Sequence, residues 1–175
     1  IHRLPLGESV VSPRSRCPSC KALIRWYQNI PVFSWLLLRA RCGNCRTKIS
    51  IRYPIVELLT GLFFALSAWW KPELISWPFH FWFLASLIAA SFIDIDHWIL
   101  PDKITLPGIV IGLASSLVVP KLSPLESFAG VICGGGILYF VAWTYKALAH
   151  KDGLGGGDIK FLAMIGAFLG FKGAL

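Results

Sequence analysis

The sequence predicts an all-α polytopic membrane protein, with about five transmembrane helices behind a small N-terminal cytosolic unit of zinc-ribbon-like type. Three observations predict it. The 175 residues are 55% hydrophobic and only 15% charged, an apolar load that a soluble domain of this size could not hide in one core. Ten of the 17 Lys and Arg fall within the first 53 residues, with Glu8 the one acid among them. Beyond Tyr53 the composition changes to long apolar runs. The predicted division is therefore a polar unit, 1–53, and a transmembrane domain, 54–175.

The basic N-terminal unit comes first. Its charge obeys the positive-inside rule for a segment beside a membrane, which favours a solvated cytosolic loop over a nucleic-acid site. Cys17-Pro-Ser-Cys20 and Cys42-Gly-Asn-Cys45 are two CxxC pairs with 21 residues between them. Such pairs can fold back as knuckles and present four thiolates tetrahedrally to zinc. A disulfide staple does not suit the reducing cytosol, and a redox CxxC needs one pair on a scaffold that is absent here. Four cysteine ligands close the metal's coordination, so zinc at Cys17, Cys20, Cys42 and Cys45 is expected to be structural.

Five apolar runs follow: Pro54 to Trp70, Ile75 to Ile93, Ile104 to Val119, Leu125 to Leu148 and Ile159 to Leu175. A span needs about 20 mainly apolar residues, so some of these are short. Five runs with only brief polar breaks leave no polar faces for a soluble particle. With the basic unit in the cytosol, the turn at Lys71 to Leu74 falls outside and Asp94 to Lys103 inside. Pro120 to Pro124 then turns outside, and His150 to Asp158 returns to the cytosolic side. Trp69, Trp70, Trp77 and Trp98 sit where an aromatic belt would. Cys133, alone in an apolar run, reads as packing. The start at Ile1 and the apolar end at Leu175 suggest a fragment with further helices missing.

The two acidic clusters carry the chemistry. Asp94 directly follows one apolar run and Asp158 directly precedes another, so each carboxylate stands at a membrane margin, where ionisable groups are functional or paired. Two carboxylates a few Å apart cannot both ionise; one stays protonated as general acid while the other activates water, as in aspartic proteases. The approach to Asp158, Gly153-Leu154-Gly155-Gly156-Gly157, has little side-chain bulk and lets a peptide backbone come close. Asp96, His97 and Asp102 lie nearer the polar turn, as capping or supporting groups. Glu57, inside the first run, reads equally as a snorkelling residue or as part of the site.

These residues are together familiar. CPSC and CGNC around "WYQNIPVFSWLLLRARC", then "SIRYPIVELLTG", "FIDIDHWILPDKITLP" and "GLGGGDIKFLAMIGAFLG", resemble the bacterial type IV prepilin peptidases over nearly the whole chain and in the family's order. The resemblance identifies Gly155, Gly157 and Asp158 with the GxGD signature of aspartyl proteases, with Lys160 just beyond, and places the first catalytic aspartate on Asp94. It implies cleavage of the leader of type IV prepilins and pseudopilins after a glycine at the cytosolic face. N-methylation of the new terminus would follow, with S-adenosylmethionine as donor. It also implies a multi-pass protein of the bacterial inner membrane. Position 40, commonly glycine in the family, is Ala40, a departure that bears on the methylating half. Two other classes fit the bare pattern: a transporter with an aspartate-lined ion path, whose variants would change flux, and a zinc-holding scaffold of a secretion system, with no peptide-bond chemistry.

Overall fold

A computed structural model describes residues 1, 3–9, 14–70, 73–120, 122–150, 153 and 155–174. Lys71 and Pro72 of the first expected external turn, Lys121 of the second, and Lys151, Asp152 and Leu154 before Asp158 lie outside the described residues. Helices dominate: a short α1 (Phe33–Leu37), then α2 (Arg52–Trp70), α3 (Trp77–His97), α4 (Asp102–Ser115), α5 (Pro124–Ala149), α6 (Gly156–Leu169) and α7 (Phe171–Ala174). Among the described residues the only β pairing is two isolated bridges in the N-terminal unit.

Each of the five apolar runs is helical, and local chemistry sets the ends. α5 opens with a capping box: the Glu126 amide donates to Ser123 Oγ at 3.2 Å and the Ser123 amide to Glu126 Oε2 at 3.0 Å, with Pro124 in the first turn. α3 closes on Trp98, whose φ of 54° turns its amide back to the Asp94 carbonyl at 2.8 Å. Three segments, Arg52–Trp70, Leu74–His97 and Pro124–Ala149, are long and apolar enough to cross a membrane. The helices α4 and α6, 14 residues each, rise only about 21 Å, short of a hydrocarbon core of about 30 Å. The fifth run breaks at Gly170, whose φ of 71° no continuing helix adopts.

The helices pack in the order α2, α3, α4, α6, α5, with α6 held between α4 and α5. Small residues make this possible, and they recur four apart on each partner: Gly108 and Gly112 on α4, Gly130 and Gly134 on α5, Gly166 and Gly170 at the end of α6. A Cβ on Gly112 would meet Ala167 Cβ at 2.6 Å, and one on Gly134 would meet the Leu162 carbonyl oxygen at 2.6 Å. Ser127 Oγ, fully buried, donates to the Ala167 carbonyl at 2.6 Å. Ile93, Met164 and Ala167 are fully buried, whereas only Pro54 is buried on α2. The exposed side chains of α2 include Leu58, Leu62, Phe63 and Leu66, an apolar surface that suits an apolar environment and not water.

Gly166 is the tightest point, because a Cβ there would overlap the carbonyl oxygen of Gly130, and a Cβ on Gly130 would overlap that of Gly166. Neither clash involves a side chain that could swing aside. Gly166→Val is expected to destabilise the protein by about 1–3 kcal/mol or more, as overpacking does, even though helix propensity alone favours the substitution. Thermal unfolding in detergent checks it; an unchanged or raised midpoint would mean α5 and α6 do not cross there.

Candidate active site and metal centre

The metal centre is built by an internal repeat with an offset of 25 residues. In the first copy the Cys17 amide donates to the Ala22 carbonyl, Lys21 to Cys17, and Ile24 to Ser15; in the second, Cys42 donates to Thr47, Arg46 to Cys42, and Ile49 to Ala40. The bridges Arg16↔Leu23 and Arg41↔Lys48 match, and so do the left-handed residues Lys21 and Arg46, at φ 56° and 59°. Each CxxC is thus a tight knuckle, and the two face one another. The four Sγ atoms lie within 4.8 Å of one another, and Cys17 Sγ stands 3.8 Å from Cys45 Sγ. Thiolates at about 2.3 Å around a tetrahedral ion stand about 3.8 Å apart, and all four cysteines are free. The cluster can hold a metal ion.

Neighbours favour the thiolate form at two of the four cysteines, Cys20 and Cys45. The Asn44 amide donates to Cys42 Sγ at 3.5 Å and Asn44 Nδ2 to Cys20 Sγ at 3.6 Å; the latter contact draws the Cys20 thiol below its ordinary range. Thr47, its hydroxyl 3.2 Å from Cys45 Sγ, brings that thiol down to about 6 through side-chain and backbone hydrogen bonds. Neither Asn44 nor Thr47 is named by the CxxC pattern, and the first copy of the repeat carries Ser19 and Ala22 at the matching positions. Behind the knuckles lies a cavity of about 860 Å³ whose walls include Arg16, Arg25, Trp35, Lys48, Tyr53 and Glu57. Ala40, whose carbonyl accepts the amide of the lining residue Ile49, has φ 57°, following Arg39 at φ 50°. A side chain in that region costs about 1–2 kcal/mol, which is a physical reason for glycine at this position. Ala40→Gly is expected to raise the unit's stability by about 1 kcal/mol after the entropy of glycine is subtracted. Denaturant titration with a metal-release readout checks it.

At the other end of the chain's chemistry, the structure brings the two acidic clusters to one end of the bundle. α3 and α6 run antiparallel, as two contacts fix. At one level the rings of Phe83 and Phe168 stack with centroids 4.6 Å apart. At the other, Gly157 lies against Leu100, so that a Cβ on it would come within 3.0 Å of Leu100 Cβ and 3.3 Å of its carbonyl oxygen. From the stacked rings, Asp94 is 11 residues along α3 and Asp158 is 10 residues back along α6, rises of about 16 and 15 Å. The two aspartates therefore share a level. At 100° per residue Asp94 also lies about 20° from Phe83 around α3, on the face turned to α6.

Asp94 is half-buried and Asp158 exposed in the first turn of α6. Among the described residues neither carboxylate joins a hydrogen bond or an ion pair, whereas Asp96 and Asp102 are engaged. Lys160 Nζ spans both oxygens of Asp102 at 2.8 Å, tying the start of α6 to the start of α4. Asp96 pairs with Arg52, which also donates to the Phe92 carbonyl at 2.6 Å and lies over the Phe92 ring at 4.8 Å. Phe92 and Asp96 are each about 160° from Asp94 around the helix. Arg52 thus holds the back of α3 and leaves the Asp94 face free. Sequence reading passed over Arg52 because nothing local links it to a residue 44 positions away. Glu57 Oε2 accepts the Val32 amide at 2.7 Å, joining α2 to the cysteine unit across 25 positions of sequence. Gly155 is the residue before α6, and Asp158 donates its amide to the Gly155 carbonyl at 3.2 Å.

The family model for the bacterial peptidase A24 N-terminal domain matches residues 1–71, and that for the type IV leader peptidase family matches residues 81–175. The chain is 40% identical over 185 residues to a prepilin leader peptidase/N-methyltransferase of Myxococcus xanthus, covering 100% of this chain and 52% of the relative. It is 44% identical over 168 residues to one of Neisseria gonorrhoeae, covering 94% and 57%. A type 4 prepilin-like proteins leader peptide-processing enzyme of Escherichia coli is 40% identical over 171 residues, covering 93% and 61%. The chain spans about half the length of these curated relatives. No solved structure matches it. With one family model covering more than half of its residues, the chain belongs to the type IV leader peptidase family.

Proposed function

We propose that the chain is the catalytic portion of an intramembrane aspartyl endopeptidase that removes the leader of type IV prepilins or pseudopilins at the cytosolic face of the bacterial inner membrane. The observation that carries this reading is the common level of Asp94 and Asp158 at one end of antiparallel α3 and α6. Of the acids there, these two alone are left unengaged among the described residues. One carboxylate, protonated, polarises the scissile carbonyl; the other takes a proton from the attacking water. Gly155, exposed beside Asp158, leaves the approach to its carboxylate open for an extended backbone, while Gly157 lets the start of α6 pack against Leu100. Lys160 with Asp102, and Arg52 with Asp96, position the helices that carry the pair.

The second half of the reading concerns the cysteine unit, residues 1–53. Zinc is the metal best suited to the four thiolates, in a structural role. S-adenosylmethionine would supply a methyl group for the new N-terminus, and the cavity beside the knuckles, about 860 Å³, is of a size that takes such a cofactor. The names of the relatives support this half, as they do the peptidase. The test is a reconstituted membrane containing the full-length protein and a prepilin, with the product's N-terminus identified by mass spectrometry. A cut between the basic leader and the hydrophobic segment is expected, followed by a methylated terminus when S-adenosylmethionine is added. An intact prepilin alongside folded, metal-loaded protein would overturn the peptidase reading, and a cut but unmethylated product would overturn the methylating half.

A further inference from the structure

The N-terminal unit carries an apolar face that its own fold does not cover. Within α1, Ser34 is buried and Trp35 turns inward, its Nε1 donating to the Ile49 carbonyl at 3.2 Å. The opposite face presents Phe33, Leu36 and Leu37, at 68, 58 and 82% exposure. These stand at i, i+3 and i+4, one contiguous stripe on a helix. The ordinary amphipathic order is thus inverted, with the polar and indole groups inside and the large aliphatic ones outside. Two arginines lie just beyond Leu38, Arg39 and Arg41, both exposed.

The Glu57 contact says where this stripe lies. Val32, the residue that opens α1, is held through its amide to the Glu57 carboxylate. Glu57 is five residues into α2, which puts the contact about 7–8 Å along a helix that is itself apolar and long enough to span a membrane. A short helix tied at that depth lies beside the first turns of a span, at the level where headgroups meet acyl chains.

We propose that α1 is an interfacial anchor: Phe33, Leu36 and Leu37 seat in the bilayer surface, and Arg39 and Arg41 take the phosphates of anionic lipids. Apolar side chains inserted a few Å below the headgroups, flanked by basic residues, are the pattern of in-plane membrane binding. The anchor holds the metal knuckles and the adjoining cavity flat against the membrane, and it accounts for a carboxylate inside α2 whose partner is a backbone amide of another segment. The proposal needs α2 to be a span and is independent of the peptidase reading.

The test uses the full-length protein in lipid nanodiscs of mixed phosphatidylglycerol and phosphatidylcholine, with a photoreactive benzophenone residue placed in turn at positions 33, 37, 62 and 19. Position 62 lies within α2 and position 19 on a knuckle. Variants are first checked for retained metal. After irradiation, lipid adducts are expected at 33 and 37 as at 62, and a loss of them at 19. Absence of lipid adducts at both 33 and 37, or adducts there only to a second polypeptide, would overturn the anchor. Adducts at 33 and 37 are further expected to favour phosphatidylglycerol, and Arg39→Gln with Arg41→Gln to abolish that preference. A preference that survives the double substitution would overturn the assignment of the phosphates to these arginines.

Discussion

Asp158→Asn and Asp94→Asn are each expected to lower leader cleavage about 10³-fold or more while leaving the protein folded. Asparagine keeps the shape of aspartate and removes both the ionised state and the acid proton, so it tests chemistry without opening a void. Loss of general acid–base catalysis alone costs about 10²–10⁴-fold, and loss of the partner that activates water belongs to the same step. Groups acting as one unit do not add, so the double variant is expected to cleave no more slowly than the worse single one. Neither aspartate's side chain makes a hydrogen bond or ion pair among the described residues, so thermal unfolding should move little. Asp96→Asn and Asp102→Asn are the controls: they break the pairs with Arg52 and Lys160, partly exposed contacts of the kind that contribute about 1 kcal/mol or less. Their cost in cleavage is expected to be far smaller than that of the other two. A folded Asp94→Asn or Asp158→Asn protein that cuts at the wild-type rate would end the two-carboxylate mechanism.

What the sequence discloses, and what it hides, follows the range of the interactions. The apolar runs, the knuckles and the positions of Asp94 and Asp158 at helix ends are local patterns, and each is in place in the fold. The end of α4 is also local but weaker. There Ser115 Oγ turns back to the Gly112 carbonyl at 2.6 Å and Ser116 Oγ to that of Leu113 at 2.7 Å, where an apolar count runs on to Val119. The pairings that place the site are long-range and leave no local trace. Arg52 reaches Asp96 and Phe92 across about forty residues, Glu57 reaches back to Val32, and Gly130 meets Gly166 by backbone alone. Glycines four apart on three helices were present in the sequence as a packing signal, but which helix met which depends on the fold.

Cys17→Ser combined with Cys42→Ser removes one thiolate from each knuckle and is expected to release the metal and unfold residues 14–50. Elemental analysis would read the first effect and amide hydrogen exchange the second. The expected size is large because the unit has little else to hold it: among its described residues only Cys17 and Ser34 are buried. A segment this small rarely stabilises itself without a staple, and the binding free energy of a structural zinc site is of the order of 10 kcal/mol. The damage should have a boundary. The contacts among α4, α5 and α6 are made by glycines, Ser127 and Met164, with no part in the knuckles, so exchange protection there is expected to persist. At the junction, loss of α1 would strip the Val32 amide from Glu57 and leave a carboxylate inside α2 without that partner. The first turns of α2 should therefore loosen with the unit, and Arg52, which grips α3 behind Asp94, should loosen with them. Unchanged metal content in the double variant would show that the four cysteines are not the ligands. Lost metal with undiminished protection over 14–50 would show that the knuckles fold on hydrogen bonds alone.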